Sequence, residues 1–397
     1  MRPPRCYPWA VNEQFFAPCP RGLEPSLADE LAELGVEGVQ PGDAGVTFSG
    51  PFQLCYRVNL QSRIASRVLW QVARAPYQSE DDVYRTGLQQ PWPEWFDVGQ
   101  TIAVSVNARK CPLRSLDFVT LRIKDAVCDQ FRKVTGRRPS VDTRNPGVRI
   151  FAFLDESSVT LYVDTSGEAL FRRGGRDTAG EAPLKENLAA GILRLTGWRP
   201  GVPLFDPMCG SGTFLLEAAQ IALDMAPGAK RRFGFERLHN FESAAWEKMR
   251  AAAAAGQQAP RPLPIFGSDL YGEVLNGARS NAAALGLADV VQWKQANVLE
   301  VSAPAASGIL LTNPPYGVRI GEQEELARLY PQLGDLLKRK FAGWTAYFFT
   351  ADLRLAKLIR LNPSRRTPLF NGPLECRLFE YRMVAGSARQ ERVKGEG

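Results

Sequence analysis

The sequence predicts an α/β protein: a doubly wound, mostly parallel, seven-stranded sheet closed by a C-terminal hairpin, preceded by a smaller α+β region. Three observations carry this expectation. From about residue 180, apolar strand-like runs alternate with stretches of helical spacing, as parallel strands joined by crossover helices require. The apolar run ending at Asp206 feeds a glycine-rich turn that opens a helix. Upstream, a long amphipathic helix is followed by two alternating strands, an order of a different kind.

Taken in order, residues 15–17 read as a strand, and Leu23, Leu27, Ala28, Leu31 and Leu34 recur at helical spacing until Gly35. Residues 36–39 and 46–48 suggest short strands around a Pro41-Gly42-Asp43 turn. An apolar helical pattern covers 60–72, and 101–106 alternates as a strand. The spacing of Leu116, Val119, Ile123, Val127 and Phe131 predicts a helix over 114–138, with Arg122, Lys124, Arg132 and Lys133 on its other positions. Strands are expected at 148–154 and 158–164.

The later strands are expected at 202–206, 265–269, 290–294, 309–313 and 344–350, with helices over 213–223 and 272–285 among them. Residues 367–370 and 374–384 flank Asn371-Gly372-Pro373 as an edge hairpin. An alanine run followed by Gln and Pro makes 251–264 a low-complexity surface insertion.

Composition narrows the chemistry. The 397 residues are 45% apolar and 23% charged, ordinary for packed globular structure. No run approaches the roughly 20 apolar residues of a membrane-spanning helix, and the Pro- and Arg-rich start carries no apolar signal segment. A soluble, cytoplasmic protein is expected. The seven cysteines are scattered without a CxxC pair, and His239 is the single histidine. Disulfide frameworks, zinc ribbons and imidazole-based catalytic pairs are therefore disfavoured, and no metal is expected.

Residues 109–149 hold eleven basic and four acidic residues, which accounts for the whole net charge of +7. A basic block on an otherwise neutral chain predicts a nucleic-acid partner, although a solvated helix face would show the same charge.

Three motifs point to chemistry. In Asp206-Pro207-Met208-Cys209-Gly210-Ser211-Gly212-Thr213, a strand enters a turn whose glycines let backbone pass close to a ligand. No Lys-Ser or Lys-Thr follows, and Leu215 stands where a dinucleotide fingerprint has its third glycine. Ser268-Asp269-Leu270 ends the next expected strand, where a carboxylate accepts hydrogen bonds from ribose hydroxyls.

Asn313-Pro314-Pro315-Tyr316-Gly317 ends another. Its prolines exclude helix and leave carbonyl acceptors, Asn313 adds a side-chain carbonyl, and Tyr316 offers a flat surface to a base. An amine held between two acceptors turns its lone pair towards an electrophile without a general base.

These residues resemble the class I S-adenosylmethionine-dependent methyltransferases that act on nucleobase amino groups. With Arg172-Arg173-Gly174, the 182–190 run Ala-Pro-Leu-Lys-Glu-Asn-Leu-Ala-Ala, and Lys124-Asp125-Ala126-Val127 and Pro139-Ser140-Val141-Asp142 upstream, the chain looks like the THUMP-containing guanine-N2 RNA methyltransferases. It is most similar to the N-terminal half of the bifunctional 23S rRNA guanine-N2/N7 methyltransferases, and no counterpart of their second half is expected.

The resemblance implies a ferredoxin-like region at 1–50, a THUMP RNA-binding domain at 51–165, a linker and leading helix at 166–200, a Rossmann-like methyltransferase domain at 201–386 and a tail at 387–397. It implies that Asp206, Gly210 and Gly212 cradle the methionine end of S-adenosylmethionine and that Asp269 holds its ribose. Lys185, Cys209, Ser211, Thr213, Ser268, Leu270, Asn297, Val298 and Asn313 complete the implied cofactor site, with Cys209 in a packing role. Asn313, Pro314, Pro315 and Tyr316 would grip the target guanine. Arg114, Lys124, Arg132, Lys133, Arg137 and Arg138 would meet RNA phosphates.

Two positions depart from the family: Asn297 stands for a common Asp near the adenine amino group, and Val318 for an acidic residue. An Asn carbonyl still accepts that bond, so weaker cofactor affinity is implied. The leading expectation is guanine-N2 methylation of 23S rRNA. A tRNA guanine-N2 methyltransferase, a DNA adenine-N6 methyltransferase and a non-catalytic ribosome-assembly factor remain open.

Overall fold

The computed structural model describes residues 12–173, 184–315 and 320–384, with side chains of the last segment from residue 324. Tyr316, Gly317, Val318, Gly174, Ala182, Pro183 and the expected tail lie outside the described residues. The protein forms two compact units. One takes the described residues through Arg173 with Glu186–Gly191 and Asp224–Gln257; the other takes Leu184, Lys185, Ile192–Leu223 and those from Gln258 onward.

The first unit is built on strands β1 (Glu13–Pro18), β2 (Gln40–Gly42), β3 (Gly45–Gly50), β4 (Leu69–Pro76), β5 (Ile102–Ala108), β6 (Val148–Leu154) and β7 (Ser158–Asp164). They form one sheet in the order β2-β3-β1-β4-β7-β6-β5, so a single sheet continues on both sides of residue 50. Helix Leu116–Thr135 buries Val119, Ile123, Val127 and Phe131 as the spacing predicts, whereas Leu116, the first residue of that series, is exposed in the helix's first turn. Ser115 Oγ accepts the Phe118 N–H at 3.2 Å to start it, and Gly136 at φ 74° ends it.

Three expectations in this unit need correction. The helical pattern over 60–72 is split between a helix, Leu54–Gln61, and strand β4. The Glu30 carboxylate accepts the Arg63 and Ile64 N–H groups at 2.9 and 3.3 Å, so the next two backbone donors that would continue the helix are taken from outside it, and the Ser62 hydroxyl adds a third bond at 2.6 Å. The strand expected at 36–39 forms instead at β2, and the β2–β3 turn runs through Asp43 and Ala44, the latter at φ 62°.

The alanine run is the second half of a helix, Ser243–Gly256, as the high helix propensity of Ala allows. Trp246 anchors that helix edge-on against Phe235 at 5.1 Å and Phe233 at 5.6 Å.

The second unit carries β8 (Leu204–Asp206), β9 (Ile265–Asp269), β10 (Gln292–Gln295), β11 (Gly308–Thr312), β12 (Trp344–Thr350), β13 (Arg365–Asn371) and β14 (Leu374–Arg382). Their order is β10-β9-β8-β11-β12-β14-β13. The first five are parallel, and β14 runs antiparallel to both β12 and β13, as the hairpin requires.

One face packs Phe205, Leu310, Phe348 and Phe379 against Tyr330, Leu333 and Leu337 of helix Ile320–Lys340. That helix has no counterpart among the expected elements, because Pro331 interrupts its sequence pattern. Among the described residues, no helix is long and apolar enough to cross a membrane.

Candidate active site

Strands β10, β9, β8 and β11 lie side by side, and the loops at their carboxyl ends carry the candidate residues. The chain builds outward from β8 through β9 to β10, then returns to place β11 on the other flank of β8. Such a reversal opens the crevice in which α/β sheets bind ligands.

Asp206 ends β8 there, only 2% exposed. Its Oδ1 accepts the Thr312 hydroxyl at 2.7 Å and the Met208 N–H at 3.1 Å. Burial pushes its carboxyl up to about 7, the Asp269 charge adds to the rise, and the two hydrogen bonds oppose it.

The turn after Asp206 is fastened to β9. Cys209 N–H donates to the Ser268 carbonyl at 2.9 Å, and the Ser268 hydroxyl to the Pro207 carbonyl at 3.3 Å. Gly210 and Gly212 hold φ of 54° and 78°, the left-handed region that side chains disfavour. A Cβ on Gly210 would meet no heavy atom within 4 Å, so the turn faces open space; on Gly212 it would lie 2.9 Å from the Trp293 ring.

Asp269 binds the same turn, accepting the Gly210 N–H at 3.0 Å through one oxygen and the Tyr271 N–H at 3.2 Å through the other. Each oxygen keeps a lone pair for a ligand hydroxyl. Asn297, in the loop after β10, accepts the Leu299 N–H at 3.0 Å, and Val298 beside it is buried.

Thr312 is fully buried at the end of β11 and leads into Asn313, Pro314 and Pro315. Its hydroxyl ties that segment to Asp206, the residue that opens the glycine turn. Burial, with the Asp206 and Asp269 charges, drives the Cys209 thiol far up, so a thiolate nucleophile is disfavoured there. Lys185 sits at the start of helix Glu186–Leu195, and Leu270 is half exposed. Ser211 and Thr213 hydroxyls approach to 3.3 Å. The arrangement suits a cationic ligand that also carries neighbouring hydroxyls.

The basic residues of the first unit divide into two groups. Lys124 is bonded to Asp125 at 2.7 Å and Arg132 to Asp129 at 3.1 Å. Arg114, Lys133, Arg137 and Arg138 are exposed. Arg114 precedes a 20-residue helix and Arg137 follows it, which separates them by about 30 Å.

The description "RMKL-like, methyltransferase domain" fits residues 173–380, more than half of the chain. The chain belongs to this family. A THUMP domain matches 77–164, and an RlmL ferredoxin-like domain matches 14–69. A Synechocystis sp. protein, slr0064, named as a candidate RNA methyltransferase, is 41% identical over 375 residues, covering 94% of this chain and 98% of the relative.

The ribosomal RNA large subunit methyltransferase K/L of Shewanella sp. (strain W3-18-1) is 38% identical over 382 residues, covering 95% of this chain and 54% of the relative. The chain therefore spans about half the length of such relatives. Among solved structures, SMU.472, a candidate methyltransferase complexed with SAH, superposes with a TM-score of 0.85 at 28% identity, covering 94% of this chain and 98% of that one.

Two residues of this methyltransferase domain escape sequence reasoning. Asn281, 4% exposed on helix Gly272–Ala284, donates to the Ser211 carbonyl at 3.2 Å and steadies the turn. Trp293 lies beneath Gly212 and also beneath Gly267, where a Cβ would come within 2.8 Å of its ring. Neither belongs to a motif; only the tight approach marks them. Gly212→Ala should cost about 2 kcal/mol through its backbone conformation and the Trp293 contact, and lower the melting temperature by roughly 4–8 °C. Thermal unfolding monitored by calorimetry checks this, with an unchanged midpoint counting against the packing argument.

Proposed function

We propose that this chain transfers a methyl group from S-adenosylmethionine to the exocyclic N2 amine of a guanine in 23S rRNA, acting in the cytoplasm on RNA or an assembling large subunit. The observation that carries the reading is the Thr312–Asp206 hydrogen bond at 2.7 Å, which links the glycine turn to the Asn313-Pro-Pro segment at adjacent strand ends.

The residues fit the donor. Open space over Gly210 admits its backbone-close end, Asp206 suits its positive charge, and Asp269 suits its ribose hydroxyls. Once bound, the donor supplies an electrophilic methyl carbon on a sulfonium. Lys185, Cys209, Ser211, Gly212, Thr213, Ser268, Leu270, Asn297 and Val298 surround that site in the proposal.

Asn313 Oδ1 and the Pro314 carbonyl accept the two N–H bonds of the target amine, and Pro315 keeps the segment rigid. Tyr316 carries the base. S-adenosylmethionine held there would give its methyl group to that nitrogen and depart as S-adenosylhomocysteine, while Asn313 and Pro314 hold the amine and its surplus proton passes to water. No base need act first. His239, the single histidine, belongs to the first unit, where Nδ1 lies 3.1 Å from the Glu94 carbonyl and Nε2 3.4 Å from Asp97.

The base must leave its stack, at a cost of a few kcal/mol. Phosphate contacts from the 51–165 module offset that cost with little base readout. Its candidates are Arg114, Lys124, Arg132, Lys133, Arg137 and Arg138.

Digestion and mass spectrometry of rRNA and tRNA from a deletion strain tests the proposal. The expected result is loss of one N2-methylguanosine from 23S rRNA, restored by the wild-type gene. Loss from tRNA alone, or loss of an N7-methyl group instead, would overturn the substrate or the position.

A further inference from the structure

The charge count of the sequence places the basic excess within 109–149 and leaves the remainder neutral. The structure divides that neutral remainder unevenly. Residues 351–384 contain seven cations (Arg354, Lys357, Arg360, Arg365, Arg366, Arg377, Arg382) and three acids (Asp352, Glu375, Glu380). Each acid already holds an arginine: Asp352 with Arg354 at 2.8 Å, Glu375 with Arg377 at 2.6 Å, and Glu380 with Arg382 at 2.7 Å. Four cations are left over, Lys357, Arg360, Arg365 and Arg366, and all four are exposed.

Topology gathers three of them. The chain leaves β12 at Thr350, one strand over from the end of β11, and re-enters the sheet at Arg365 on the outer strand β13. Between these points, Leu355 and Ile359 are fully buried against helix Ile320–Lys340, which leaves Lys357 and Arg360 facing outward. Arg366 is the register partner of Phe379, whose ring belongs to that same core, so Arg366 stands on the side of the sheet against which Leu355 and Ile359 pack. Arg365 alternates to the other face of β13.

We infer that Lys357, Arg360 and Arg366 form a second RNA-backbone contact surface, on the methyltransferase unit itself, starting beside the strand end that carries Asn313. Three solvated cations without acidic partners on this side of the sheet suit the phosphates of an RNA strand, and they offer no acceptor for base readout. Held there, the strand on one side of the target nucleotide would be fixed against the unit that performs the transfer. The inference rests on RNA being the substrate class proposed above.

The test compares wild type with Lys357→Gln/Arg360→Gln/Arg366→Gln in binding an in vitro transcript of 23S rRNA, by fluorescence anisotropy between 50 and 200 mM salt. The triple variant is expected to bind more weakly, with the slope of log K against log salt reduced by about 2–3, at roughly 0.7–0.9 per phosphate contact. Its SAH affinity by calorimetry should match wild type, which also reports that the unit is folded. If the triple variant loses SAH binding, the single variants Lys357→Gln and Arg360→Gln carry the test, each expected to lower the slope by about 0.7–0.9. An unchanged slope and affinity would overturn the surface while leaving the RNA reading intact. A wild-type protein without salt-dependent RNA binding would overturn both.

Discussion

Asn313→Ala is expected to lower methyl transfer at least about a hundredfold while changing SAH affinity by no more than about twofold. Misplacing a reacting group by about 1 Å can cost that much, and the proposed reaction depends on placement alone. The β11 segment delivers Asn313 directly after the fully buried Thr312, and Pro314 and Pro315 restrict the backbone that follows. The alanine variant keeps this backbone and the Thr312–Asp206 bond, so the cofactor side of the crevice is left alone.

In the proposed reaction the variant would lose one of two acceptors for the target amine, and the nitrogen lone pair would be free to rotate away from the methyl carbon. Single-turnover transfer to 23S rRNA transcript, measured beside SAH calorimetry, separates the outcomes. Retained turnover would remove Asn313 from the proposed chemistry. Parallel loss of turnover and SAH binding would instead make it a cofactor residue.

The crevice was legible because its parts lie at strand ends that announce themselves. Strands β9 and β12 coincide with the expected ranges, since Pro264 and Asp269 bound β9 and the apolar run of β12 begins directly after Gly343. The glycine turn and Asn313-Pro-Pro are compact motifs whose conformations few other residues could adopt. What stayed hidden depends on partners distant in sequence. The helix pattern over 60–72 fails because Glu30, more than thirty residues earlier, takes the Arg63 and Ile64 N–H donors.

Trp293 supports Gly212 across more than eighty residues, and neither residue hints at the other. The ridge at Lys357, Arg360 and Arg366 vanishes in a sum of charges, because acids elsewhere balance it. It emerges only once Asp352, Glu375 and Glu380 are seen to be occupied.

Asp206 should make cofactor binding depend on pH in a way that identifies it. An unfolded aspartate titrates near 3.9, whereas burial holds this one near 7. Between those values the folded protein keeps a proton that the unfolded chain has released, so this group favours folding at low pH, and that contribution is lost as pH rises from about 4 through 7. Binding has the opposite sign. An ammonium group such as that at the methionine end of SAH prefers the ionised carboxylate, so below pH 7 the proton must leave as the ligand enters.

SAH affinity is therefore expected to rise by up to about tenfold per unit between pH 5.5 and 7. Calorimetry in two buffers of different ionisation enthalpy should report close to one proton released at pH 6. Asp206→Asn should bind weakly at every pH and release no proton. Thr312→Val removes the 2.7 Å hydrogen bond that favours the ionised form, so the midpoint should move above 7 while the slope below it persists. Wild-type affinity that stays level from pH 5.5 to 7 would show that the bound ligand's charge does not reach Asp206. The glycine turn would then have to be read as a site for a neutral group.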